Sequence, residues 1–173
     1  MKKDSWIIKA FLMTFFIALI FSSTSNFLIS KYNNTILLII LCIIFIGIGI
    51  IFDIIGTAVL TANEASFHAK SSKKIKGSKE AVKLIKNSST IASICNDVIG
   101  DICGVVSGAI SAMIALKISN TYGVSSNIQF LVSALVASIT VSGKAIGKGI
   151  ANKESTQIVD MVGKVLAKVN KNN

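Results

Sequence analysis

The chain has 173 residues, of which 52% are hydrophobic and only 15% are charged, and it contains no proline. This composition, with a mean hydropathy of +0.71, excludes an ordinary soluble domain and indicates an integral membrane protein. The net charge of +10 comes from lysines alone, without the arginines and interleaved aromatic residues of a nucleic-acid-binding surface, so no nucleic-acid partner is expected.

Four apolar segments reach the length of about 20 residues that a helix needs to cross a bilayer. The sequence predicts these spans near 6–29, 35–62, 91–118 and 126–150. The first could be a signal peptide, but it continues to Leu28 without a small-residue cleavage site, and we interpret it as a retained helix. The predicted fold is all-α, a polytopic membrane helix bundle of about four transmembrane helices.

Lysines are concentrated before the first span, in the connection at 63–90 and in the tail. Because short cytoplasmic connections of membrane proteins carry the lysines, both termini are predicted to be cytoplasmic, in a bacterial plasma membrane. The predicted division is an N-terminal span with an external turn at 1–34, a three-span domain at 35–154, and a tail at 155–173. Residues 76–85 of the connection and 155–169 of the tail each have the pattern of a juxtamembrane amphipathic helix, which makes anionic lipid an expected partner.

No functional role is predicted for the three cysteines or the single histidine. Cys42, Cys95 and Cys103 fall inside predicted spans and are interpreted as small buried hydrophobic residues. His68 stands in a basic connection and is interpreted as a solvated side chain. Since the sequence has no Ser-His-Asp grouping, phosphate loop or zinc motif, an enzyme is not expected.

Ionisable residues inside the spans are the strongest functional signal. Asp53, Asp97, Asp101 and Lys144 lie in otherwise apolar segments. A charge at mid-membrane depth costs several kcal/mol, so such residues usually face a bundle interior, where they pair with each other or bind something. The sequence therefore predicts a polar site within the bundle.

The third span carries most of this predicted site. Asp97 and Asp101 are four residues apart and share one helix face, with Ser93 and Asn96 nearby. These oxygens would suit a hard cation such as Mg²⁺ or Na⁺, although the same pair could hold a proton or form a salt bridge with Lys144. A smaller polar stripe stands in the second span. Its candidate ion ligands are Asp53 and Thr57.

Glycines at small-residue spacing accompany the polar residues. In the third and fourth spans they would permit close approach of helices, within one subunit or in a homodimer. They are Gly100, Gly104, Gly108, Gly143 and Gly147.

The order of these features resembles the transmembrane domain of the CNNM/CorC magnesium transporters over about residues 45–155. The resemblance rests on FDIIGTAVLTAN at the end of the second span, GSKEAVKLIKN in the basic connection, the polar start of the third span, and SGKAIGKGIAN in the fourth. It implies a dimer with a juxtamembrane helix that binds dehydrated Mg²⁺ between its helices for Na⁺-linked export. The family's cytoplasmic CBS-pair domain, and nucleotide regulation through it, are not expected.

At several motif positions this chain has other residues than the family it resembles. Asp53 and Gly56 stand where the family has a small polar residue and a glutamate, and Asn96, Asp97 and Asp101 match its asparagine-rich stretch. The family's Gly-Glu-x-x-Pro-Lys motif appears as residues 143–148, with Lys144 for the glutamate and Gly147 for the proline. Lys144 could occupy the space of a cation, or the three aspartates could form a shifted site.

The leading functional hypothesis is divalent cation transport, with Mg²⁺ as the transported ion and export as the direction. The alternative is a non-transporting membrane scaffold or regulator, with an internal Asp-Lys charge network and a related transporter subunit as its partner.

Overall fold

The computed structural model describes residues 2–31, 34–73, 75–123 and 127–170, and in the first range it describes the side chains of residues 7–27. The chain is 93% helical, and no strand occurs among the described residues, so the predicted all-α class is confirmed. The elements are α1 (Lys2–Lys31), α2 (Thr35–Thr61), α3 (Glu64–Ser72), α4 (Ser78–Lys86), α5 (Ser88–Ala92), a π-helical segment (Ser93–Ile99), α6 (Gly100–Tyr122), α7 (Ile128–Lys153) and α8 (Ser155–Asn170).

Four stretches of helix are long and apolar enough to cross a membrane, which is compatible with an integral membrane protein. They are Ile7–Phe27, Thr35–Thr61, Ser88–Tyr122 and Ile128–Lys153. The third is longer than predicted because α5, the π-helical segment and α6 follow one another without a break. Parts of the predictions lie outside the described residues: the external turn at 32–33, the start of the fourth span at 126, and the end of the tail at 171–173.

The chain divides into two compact units. The first unit is Met1–Ile50 with Val98–Gly143, and the second unit is Ile51–Asp97 with Lys144–Asn173. Three elements, α2, the π-helical segment and α7, each contribute residues to both units.

The first unit has a core formed by α2 and α6. On both helices the buried residues recur mostly every three or four positions, which places them on one face. They are Leu38, Cys42, Phe45 and Ile46 on α2, and Ile102, Cys103, Val106, Ile110 and Ile114 on α6. The Cys42 thiol donates a hydrogen bond to the Ser107 carbonyl at 3.7 Å. Cys42, Cys95 and Cys103 are all buried, as predicted.

The second unit packs the short helices α3, α4 and α8 with the ends of α2 and α7. Its buried residues are Ala58, Val59, Phe67, Ala81, Ile85, Ala151 and Val159. Because Ala81 and Ile85 belong to this core, the apolar face of α4 packs on protein rather than lying on the membrane as predicted. Helix α3 was not predicted. The side chain of Asn63 caps it by accepting the Ala65 N–H at 2.9 Å.

Two glycines bring α4 and α8 into backbone contact. Gly77 precedes α4 with a positive φ of 85°, a conformation that favours glycine. A Cβ built on Gly77 would lie 2.6 Å from the Lys164 nitrogen, and one on Gly163 would lie 2.6 Å from the Gly77 carbonyl oxygen. Neither position has room for a side chain unless the backbone moves.

An ion-pair cluster ties α8 to α3 beside this contact. Asp160 accepts from Lys164 Nζ at 2.7 Å and from Lys70 Nζ at 3.3 Å. The hydrogen bond from Lys164 is the main reason that the pKa of the Asp160 carboxyl is below its ordinary value. Burial acts in the opposite direction, and Lys70 adds to the lowering.

Asp160 should stabilise the protein only while it is ionised. Since its folded pKa is lowered, its contribution is full above the unfolded pKa of about 3.9 and is lost as pH falls through the folded pKa. Asp160→Asn is expected to cost about 1 kcal/mol at pH 7 and little near pH 2, measured as thermal unfolding in detergent. Glu64→Gln, which removes an exposed acid, is the control. An Asp160→Asn deficit that is unchanged at low pH would contradict this assignment.

Candidate ion-binding site

Asp53 is the most deeply buried of the Asp, Glu, Lys and His side chains among the described residues. It lies on α2 in the second unit and is 3% exposed. Its Oδ2 atom is buried and has no hydrogen-bond partner in the described part of the chain. Lys148 on α7 carries an opposite charge nearby, with Nζ 3.8 Å from Oδ2 and about half of its side chain exposed. The Lys148 ammonium therefore partly balances the charge of the Asp53 carboxylate, but no described group donates a hydrogen bond to Oδ2.

A second buried oxygen faces the same surface of α2. Gly56 is three residues after Asp53, so both lie on one side of the helix. A Cβ on Gly56 would lie 2.8 Å from Asn96 Cγ and would collide with Asn96 Oδ1, which shows how closely Asn96 approaches α2. Asn96 Oδ1 is also buried without a hydrogen-bond partner among the described residues. We call Asp53, Gly56 and Asn96 the Asp53–Asn96 site.

Asn96, which approaches Gly56 on α2, belongs to the π-helical segment. It covers Ser93–Ile99, between α5 and α6. A π-helix closes i→i+5 hydrogen bonds, so each turn is wider than an α-turn, and such turns are frequent at functional sites. The sequence pattern does not predict this segment. The run Ser-Ile-Cys-Asn-Asp-Val-Ile shows only that polar residues interrupt an apolar span.

Asp97 occupies the same π-helical segment but has a different environment. It is exposed, and its Oδ2 accepts a hydrogen bond from the Ser93 hydroxyl at 2.9 Å. Thr57, one turn after Asp53 on α2, is half-buried, and its carbonyl accepts the Thr61 hydroxyl at 3.0 Å. Of the predicted ion ligands, the structure thus brings Asn96 to the α2 face of Asp53 and pairs Ser93 with Asp97.

The predicted site residues Asp101 and Lys144 belong to different units. Asp101 is exposed in the first turn of α6 and belongs to the first unit. Lys144 is half-buried on α7 in the second unit, one turn before Lys148. Sequence spacing offered Lys144 as a salt-bridge partner for Asp97 or Asp101. Lys148 lies near Asp53, a pairing that sequence spacing could not reveal because it depends on how α2 and α7 pack.

The predicted packing glycines behave differently from one another. The Gly100 carbonyl lies 3.6 Å from a Cβ built on Gly49, and Gly143 packs against Ile50, so both mark close helix contacts in the first unit. Gly147 is buried in the second unit. Gly104 and Gly108 have no atom outside their own helix backbone within 4 Å of a built Cβ, so the space beside them is open. They line a groove of the first unit together with Ser133 and Thr140 of α7.

Comparison with family models, with curated proteins and with solved structures finds no match for this chain. No group of three or more His, Cys, Asp or Glu side chains that could hold a metal occurs within the described ranges. A cation at the Asp53–Asn96 site would be held by one carboxylate together with neutral oxygens.

Such a ligand set suits a hard cation better than a soft one. Mg²⁺ and Na⁺ take carboxylate, amide, hydroxyl and carbonyl oxygens, and Mg²⁺ commonly keeps part of its water shell. A buried acceptor without a donor is costly, and a cation removes that cost by binding the oxygen directly. The site is thus suited to alternate between pairing with the Lys148 ammonium and binding a cation.

Proposed function

We propose that the protein transports a divalent cation across a membrane, with Mg²⁺ as the ion and export as the direction. The observation that carries this proposal is the pair of buried oxygens, Asp53 Oδ2 and Asn96 Oδ1, neither of which has a hydrogen-bond partner among the described residues. Both belong to helices long and apolar enough to span a membrane. Ionisable residues at such positions commonly mark ion pathways. The resemblance to the CNNM/CorC transmembrane domain supports the choice of Mg²⁺.

The protein lies in the bacterial plasma membrane as a homodimer, with both termini in the cytoplasm. The lysine-rich connection and tail support this orientation, because positive residues are retained on the cytoplasmic side. The open surface at Gly104 and Gly108 supports the dimer, because a second subunit could pack closely there.

Flux measurements in proteoliposomes test transport directly. Vesicles loaded with a magnesium-sensitive dye would receive external Mg²⁺, with and without an opposing Na⁺ gradient. Wild-type protein should produce flux, and Asp53→Asn should reduce it at least about tenfold, because the only carboxylate at the site is removed. Glu64→Gln, which neutralises an exposed acid on α3, should transport normally. Protease protection of the lysine-rich tail in the same vesicles checks the orientation.

Two results would contradict the proposal. Wild-type protein that is folded and inserted but gives no flux above empty vesicles would exclude Mg²⁺ transport under these conditions. Flux that is equal in wild type and Asp53→Asn would show that ions cross elsewhere in the protein.

A second candidate function is a non-transporting scaffold or regulator, which would assemble with a related transporter subunit. The ion pair between Lys148 and Asp53 favours it, since a buried carboxylate can be held by a lysine without any bound ion. In that case the pair serves stability, and replacing Lys148 should weaken the fold rather than strengthen cation binding.

A further inference from the structure

A groove in the second unit lies between α8 on one side and α4 with α5 on the other. Its volume is about 250 Å³. Leu84, Ile91, Leu166 and Val169 supply its apolar lining, and Lys83 supplies an exposed positive charge. The groove therefore combines an apolar surface with a cation, which is the arrangement that an amphipathic anion requires.

The position of the groove along the chain places it near the membrane boundary. Ile91 lies in the first turns of the candidate span Ser88–Tyr122. Residues next to the ends of spans lie at the level of the lipid head groups.

An exposed apolar stripe on α8 leads into the groove. Met161, Val165 and Val169 follow one another at intervals of four residues, so they share one face, and they are 67%, 58% and 58% exposed. Val169 also lines the groove. The opposite face of α8 packs in the protein through Val159 and Gly163, so the exposed apolar face of α8 is available to contact lipid.

We infer that this groove binds an acidic phospholipid, whose acyl chain covers the Met161–Val169 stripe and whose phosphate meets Lys83. Charge favours this occupant over a neutral lipid. Lysines at 76, 79, 83 and 86 surround α4, against the single acid Glu80, which also lines the groove. Juxtamembrane lysine clusters attract the anionic lipids of the inner leaflet. The inference does not depend on ion transport.

Tryptophan fluorescence in proteoliposomes tests this site. Trp6, the one tryptophan of the chain, would be replaced by phenylalanine, and a single reporter introduced as Val169→Trp. Brominated phosphatidylglycerol and brominated phosphatidylcholine would then be compared as quenchers at equal mole fraction. The acidic lipid should be preferred roughly fivefold at the reporter, the size expected for one lysine near a charged surface.

Matched variants separate a specific site from general lipid contact. Lys83→Gln should remove the preference, whereas Lys79→Gln, one turn earlier on α4 and outside the groove lining, should keep most of it.

Three outcomes would overturn the inference. The first is equal quenching by the two lipids, and the second is a preference for acidic lipid that survives Lys83→Gln. The third is a Val169→Trp reporter that neither lipid quenches, together with a Val169→Cys variant that cross-links between subunits. The last outcome would assign the stripe to a second copy of the chain. Each reporter variant would first be shown to elute like wild type in size-exclusion chromatography, so that a folding failure is recognised.

Discussion

Gly163→Ala is expected to destabilise the protein by about 2 kcal/mol. A methyl group at this position would meet the Gly77 carbonyl oxygen at 2.6 Å and the Ala81 Cβ at 3.1 Å. The first atom belongs to the backbone, so α4 and α8 must separate, and overpacking of this kind costs about 1 to 3 kcal/mol or more. The gain of about 1 kcal/mol from replacing a helical glycine by alanine offsets only part of that cost. Thermal unfolding in detergent measures the difference.

Gly149→Ala is the matched control for this prediction. Gly149 is also helical and belongs to the same unit, but a Cβ there has no neighbour within 4 Å. The control should therefore be as stable as wild type or more stable, by up to about 1 kcal/mol. Equal stability of the two variants would mean that α4 and α8 do not pack through these glycines.

Lys148→Met is expected to strengthen Mg²⁺ binding about tenfold if the protein is a transporter. The Lys148 ammonium lies 3.8 Å from Asp53 Oδ2 and competes with a cation for that oxygen. A tenfold change corresponds to about 1.4 kcal/mol, between the small value of an exposed ion pair and the larger value of a buried one. Methionine keeps the apolar stem of lysine and removes the charge. Titration with Mg²⁺, followed by the increase in unfolding temperature, measures the affinity.

The same variant separates the two proposed functions. If Lys148 only neutralises Asp53 in a scaffold, Lys148→Met should lower stability without any gain in Mg²⁺ affinity, because a buried carboxylate is left unpaired. Adding Asp53→Asn should then restore most of the stability, since the uncompensated charge is gone. In a transporter, the double variant should instead lose Mg²⁺ binding. Lys153→Met, an exposed lysine near the end of α7, is the control for removing a positive charge.

Hydrophobic pattern alone determined much of the helical organisation. The predicted spans at 35–62 and 6–29 differ by only a few residues from the apolar helices Thr35–Thr61 and Ile7–Phe27, because a long apolar run has few alternatives to a membrane helix. The tail helix was also predicted, from its apolar residues at helical spacing. These features depend on local composition and period, which a single sequence displays.

The candidate site was only partly predictable. Asp53 and Asn96 were found because polar residues are conspicuous in apolar spans. Their meeting could not be foreseen, since it depends on a glycine surface at Gly56 and on a π-helical turn that has no distinct sequence signature. The approach of Lys148 to Asp53 has the same origin. It depends on the rotation and depth of α7 against α2, which sequence spacing does not display.

The sequence by itself determined an all-helical chain with four apolar spans, polar residues at defined positions within them, and basic segments between and after them. Tertiary structure decided what those residues contact. It buried the apolar face of α4 against α8 through Gly77 and Gly163, and it left the Met161–Val169 stripe exposed. The physical reason is that periodicity identifies a face of a helix, whereas the partner of that face depends on close packing between segments distant in the chain.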